Sequence, residues 1–102
     1  MIRIWQVNKD KFYDYAFFGY DDVIRHHGEG SVTIDNYDKV YEFEMQSSSE
    51  WRLDDLFEIF NTNRPSDFHG HSMSVSDVVE VDGVFWYCDD IGWKKLDWEV
   101  SE

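Results

Sequence analysis

The stretch SDVVEVDGVFWYCDDIGWKKLDWEV, Ser76 to Val100, decides how the chain is built. Asp82-Gly83 stands between two apolar runs, Val78–Val81 and Val84–Cys88. A two-residue reversal needs positive φ at both central positions, which Gly adopts freely and Asp more readily than most residues. The dipeptide therefore predicts a β-hairpin. Ile91-Gly92 permits a second reversal before WKKLDWEV, so two or three antiparallel strands are expected in the last third of the sequence.

The segments before it alternate between strand and helix patterns. IRIWQV, Ile2 to Val7, sets Ile2, Ile4 and Gln6 against Arg3, Trp5 and Val7, a strand with both faces partly covered. After an irregular aromatic segment, Asp21 or Asp22 starts a short helix that Gly28 stops. Val32 and Ile34 suggest a short extended piece. KVYEFEM, Lys39 to Met45, places Tyr41, Phe43 and Met45 on one face and Val40, Glu42 and Glu44 on the other, a half-buried strand. SSSEWRLDDLFEIFN carries Leu53, Leu56, Phe57 and Phe60 at three- and four-residue spacing, with Ile59 beside them. That is one apolar stripe of a helix, capped by Ser48 or Ser49 and ended before Pro65. The order is β-α-β-α-β-β-β. It predicts one small α+β domain over residues 1–102, a mostly antiparallel sheet of four to five strands with two helices on one face.

Composition narrows the function. The 102 residues suit a single domain, and 19% aromatic residues allow a small core built from large side chains. Asp and Glu number 22 against nine Lys and Arg, a net charge of −13, spread along the sequence rather than gathered in a tail. Phosphate neutralisation needs cations, so direct nucleic-acid binding is disfavoured and a protein partner with a basic surface is favoured. One cysteine, Cys88, allows no internal disulfide, which fits a reducing cytosol. MIRIWQV is too short and too charged for a signal peptide, and no apolar run reaches the roughly twenty residues of a membrane span. A cytoplasmic protein without a membrane partner is expected.

One stretch concentrates reactive side chains: DFHGHSMSVSDVV, Asp67 to Val79. Asp67, His69 and His71 lie two apart, and in an extended segment such residues point the same way, so they could share a metal ion. Ser72, Ser74 or Ser76 could pair with His71 as a nucleophile, but Ser74 stands where a Gly-x-Ser-x-Gly elbow needs its second glycine. Hydroxyl, carboxylate and imidazole groups also bind backbone amides in irregular loops, which suits this segment without any chemistry. Cys88, in an aromatic strand, reads as a small buried hydrophobe. No cofactor motif is present, and the adjacent acids Asp54-Asp55 and Asp89-Asp90 do not face each other as a catalytic pair would.

LDDLFEIFNTNRPSDFHGHSMSVSDVV, followed by VFWYCDDIGWKKL, resembles the YodL-like domain family, as do AFFGYDDV and DNYDKVYEFEM. The resemblance runs from about Phe17 to Leu96. Departures are His69, where Lys or Arg is usual, and Asp90-Ile91, where Ser-Phe is frequent. It implies an origin in Firmicutes, their phages or mobile elements, and no transferable catalytic reaction. It makes Gly70, His71, Ser72, Ser74, Ser76 and Asp77 a structural signature, with His71 and Asp77 buried on main-chain partners and His69 facing solvent. Because Lys and Arg are usual at its position, His69 is a poor metal ligand.

The expected function is a non-enzymatic protein-interaction module, a counter-defence inhibitor of restriction or CRISPR systems through an acidic surface imitating nucleic acid. Its candidate contacts are Asp54, Asp55, Glu58, Asp89 and Asp90. The alternatives are a small metal-dependent or hydrolytic enzyme at Asp67, His69 and His71, and an oligomerisation module using exposed Trp93 and Trp98.

Overall fold

The computed structural model describes residues 2–11, 15–44, 53–62, 66–68, 70 and 73–98. Five strands form one antiparallel sheet: β1 (Ile2–Val7), β2 (Tyr37–Phe43), β3 (Val78–Val81), β4 (Val84–Cys88) and β5 (Trp93–Leu96), in the spatial order β2-β1-β3-β4-β5. Helix α1 spans Tyr20–His27 and helix α2 spans Leu53–Thr62. The class, the order and the strand count agree with the sequence pattern.

The hairpin forms as Asp82-Gly83 predicts, with φ of 50° and 87° at its two central residues and Val81 paired with Val84. Strand β1 lies inside the sheet and bonds on both edges, to β2 and to β3. Its alternation holds. Ile2 and Ile4 are buried with Val79, Leu56 and Phe60, while Val7 is buried with Val78, Phe85 and Tyr87. Both sheet faces are therefore apolar, and both need cover. Helix α2 covers the Ile2–Ile4 face through Leu56 and Phe60. Helix α1 starts on the other face. There the Tyr20 ring meets Tyr87 edge-on at 5.5 Å and lies under the Lys94 ammonium. The two helices thus do not share one face, because a sheet apolar on both sides must recruit a helix to each.

Three local expectations change. Strand β2 starts two residues earlier than expected, at Tyr37. Its register against β1 slips between Tyr41 and Lys39, leaving Val40 as an extra residue. That bulge turns Val40 toward the Ile2–Ile4 face, where alternation had put it outside. Ile34–Asn36 forms a 3-10 turn rather than an extended piece, and the Asn36 side chain donates to the Ser31 carbonyl. Trp98 is half-buried between Tyr37 and Phe85, and its indole donates to the Val32 carbonyl. Helix α1 begins one residue before Asp21 and stops at Gly28 (φ 92°), as the glycine requires. Ser48, Ser49, Met45 and Pro65 lie outside the described residues.

Charge is also built into the sheet. Arg3 pairs across β1 with Glu42 on β2 and Glu80 on β3, both at 2.5 Å. Glu80 is only 2% exposed, and its second oxygen accepts from the Trp5 indole at 3.1 Å. The two acceptors hold the Arg3 guanidinium above its ordinary pKa, and Arg3, then Lys39, holds Glu42 below the usual carboxylate range. Removing one partner strands a desolvated charge, which costs more than the pair contributes. Arg3→Met is expected to lower unfolding free energy by about 3–5 kcal/mol, and Arg3→Met/Glu80→Leu to recover most of it. Urea denaturation of both variants measures this. Equal loss in the two would show that the stranded carboxylate is not the cause.

Candidate functional site

Helix α2 crosses the sheet face on which Cys88 and Trp93 are cross-strand partners. Its first turn carries Asp54, and the β4–β5 turn carries Asp89. These two acids, 35 positions apart by their numbers, line one cavity of about 150 Å³ together with Phe57, Cys88, Gly92 and Trp93. The Trp93 indole donates to Asp54 Oδ1 at 2.9 Å, and its ring meets Phe57 edge-on at 6.5 Å. Of the five acids expected to form a contact surface, the structure brings Asp54 and Asp89 together here. Asp55, Glu58 and Asp90 are exposed but do not line the cavity. Trp93 is half-buried against Phe57 rather than exposed as expected. Neither Phe57, part of an apolar stripe, nor Trp93 carries a sequence signal that it shares a cavity with Asp54.

Asp89 has a second role. Its Oδ1 accepts from the Tyr20 amide at 3.1 Å and from the Asp90 amide at 2.8 Å. Tyr20 opens α1, and the cap residue Gly19 has no side chain to bind the amides of the first turn. Asp89 supplies that acceptor from a distant turn, and its charge suits the positive helix end. A side chain at Gly19 would collide with the Asp89 and Asp90 carboxylates, so the glycine follows from their closeness.

The signature segment joins these parts. Asp77 is fully buried, and its Oδ2 accepts from the Ser74 amide at 2.9 Å and from the Gln6 side chain at 3.0 Å. This places Asp77 as expected, with a main-chain partner. Ser76 is also buried, in the left-handed region at φ 89°. Its hydroxyl accepts from the Phe17 amide, and its carbonyl accepts from the Tyr37 hydroxyl at 2.6 Å. Ser76 and Asp77 exchange backbone bonds with Cys88, which extends the β3–β4 pairing. A Cβ on Gly70 would sit 2.5 Å from Gln6 Oε1 and 2.9 Å from Phe68 Cζ, so the Gln6 side chain needs a glycine beside it. The Ser74 hydroxyl is buried with no hydrogen-bond partner among the described residues. Asp67 is exposed and accepts from the Tyr41 hydroxyl at 2.8 Å. His69, His71 and Ser72 lie outside the described residues. Among the described residues, no three His, Cys, Asp or Glu side chains gather as metal ligands.

Burial sets the chemistry of these groups. It pushes the Asp77 carboxyl up to about 8 against the pull of the Ser74 and Gln6 donors, so the group is protonated at neutral pH. It pushes the Cys88 thiol up to about 12, reinforced by Asp77, Asp89 and Asp54, so Cys88 is a neutral thiol rather than a nucleophile. The Tyr37 hydroxyl is raised well above its ordinary value by the same desolvation. The cavity wall is therefore an inert thiol and two rings, and the carboxylates of Asp54 and Asp89 are its polar features.

No helix among the described residues is long and apolar enough to cross a membrane. The model of the family described as the YodL-like domain matches residues 1–98. No curated protein and no solved structure matches the chain.

The raised Asp77 pKa has a definite sign. Below pH about 4 the carboxyl is protonated both folded and unfolded, and stability is unaffected. Between about 4 and 8 the unfolded chain loses this proton and the fold keeps it, so stability falls as pH rises. Asp77→Asn removes this component. The stability difference, variant minus parent, should grow in the variant's favour from pH 4 to pH 8, by on the order of a few kcal/mol. Urea midpoints across that range check it, and a flat difference would mean that Asp77 stays ionised in the fold.

Proposed function

The chain belongs to the YodL-like domain family, and we propose that it is a non-enzymatic interaction module that binds a protein partner through a basic surface on that partner. One observation carries the reading. Nine cations cannot neutralise 22 acids, and the fold spends several of the nine internally. Arg3 is held by Glu42 and Glu80, Arg25 by Asp22, and Lys39 by Glu42. Most of the other acids among the described residues lie at the surface, and the field of that surface repels nucleic acid and draws in basic proteins. Such a surface resembles a phosphate backbone in charge. That supports a counter-defence role, in which the domain occupies the nucleic-acid site of a restriction or CRISPR component in the cytoplasm. The Cys88 thiol, pushed up to about 12 by burial, is not an activated nucleophile, which fits a binding role.

The test is affinity capture from a cell lysate with the immobilised domain, at low and at high salt. Exposed charge pairing is screened within about 8–10 Å at 0.1–0.15 M salt and over much shorter distances at 1 M. A partner retained at low salt should be released at high salt, and purified partner should bind with an on-rate that falls with ionic strength. Capture of nothing, or of a partner indifferent to salt, would sink the reading.

A further inference from the structure

We infer that the cavity between α2 and the β4–β5 turn is the seat of a single arginine side chain from the protein partner. This rests on the interaction reading and gives that surface its point of specificity. Size comes first. At about 150 Å³ the cavity is well below the roughly 300–1,000 Å³ of small-molecule sites, yet it can receive one long side chain.

The walls define the chemistry. Asp54 and Asp89 enter from different elements, and among the described residues neither is ion-paired with a cation. Their positions are fixed, Asp54 by the Trp93 indole and Asp89 by the Tyr20 and Asp90 amides. Fixed acceptors suit a planar donor fork, which binds two oxygens at once and loses little freedom in doing so. Phe57 and Trp93 supply ring surface, on which a guanidinium stacks and a compact ammonium gains less. The Cys88 thiol, held neutral by its burial, adds no competing charge.

The rim supports a macromolecular occupant. Ile91 precedes Gly92 on the cavity wall and is 94% exposed. An exposed apolar side chain beside a charged recess matches an arginine carried on a partner surface, whose neighbours cover the rim.

The probe is a capped Ala-Arg-Ala peptide titrated into the full-length domain and followed by amide and indole NMR. Saturable shifts are expected at the Trp93 indole and the Gly92 amide. Asp54→Asn keeps an acceptor for that indole and removes the charge, and it should weaken binding roughly tenfold, as loss of a charge-assisted pair does. Asp82→Asn removes an equal charge from the β3–β4 turn and should leave binding within about twofold, the size of a distant screened charge. The citrulline peptide should give no saturable shift. An equal response to citrulline, an equal loss in both variants, or shifts scattered over the acidic surface would each overturn the seat. A lysine peptide that matches arginine would overturn the choice of residue. A partner captured salt-dependently by both the parent and Asp54→Asn would leave the interaction reading standing and remove this one. Saturable arginine binding with no partner captured would do the reverse.

Discussion

The fold depends on the placement of β1 between β2 and β3. A strand bonded on both edges cannot choose its neighbours independently. Ile2 and Ile4 fix its apolar face against Val79 and Tyr41, and Arg3 fixes the other by reaching Glu42 and Glu80 on the two flanking strands. One-residue slippage on either side would exchange the faces and separate those charges. Gln6, at the far end of the strand, reaches the buried Asp77 and so sets where the signature segment must lie. The position of the β4–β5 turn follows, because Ser76 and Asp77 bond to Cys88 on the strand that leads into it.

The parts legible in the sequence are those governed by near neighbours. Asp82-Gly83, the Leu56–Phe60 spacing and the alternation of Ile2–Val7 act over two to four residues, and each gave the element observed. Asp77 was placed correctly for a related reason, since its Ser74 partner lies three residues away. What escaped depends on separation. The slip that turns Val40 inward is a mismatch between two strands, and neither strand shows it alone. The split of the helices between faces turns on Tyr20 meeting Tyr87 and Lys94. The cavity needs Asp54 beside Trp93, 39 positions away. The sequence marks Asp89 only as one acid of a contact surface, because nothing in its neighbourhood announces the Tyr20 amide, 69 positions away.

Asp89 also shows how an acidic sequence can be economical with its acids. One carboxylate closes the start of α1, crowds Gly19 together with Asp90 and forms part of the cavity wall. The acidic residues of this domain are therefore not interchangeable surface charge. Glu80 and Asp77 are buried for architecture, and Asp77 is not ionised at neutral pH. The formal charge of −13, which counts Asp77 as ionised, overstates the field by about one unit.

The interior position of β1 has a consequence during synthesis. Its partner β3 follows it by more than seventy residues, as the spacing of Arg3 and Glu80 shows. At about 5–20 residues per second, β1 waits on the order of ten seconds for that edge to be filled. Meanwhile it presents Ile2, Ile4, Trp5 and Val7 beside an open ladder, the state most prone to pairing with another chain. The charge at Arg3, between Ile2 and Ile4 in that strand, acts as a gatekeeper in the interval, before Glu42 and Glu80 are both available to hold it.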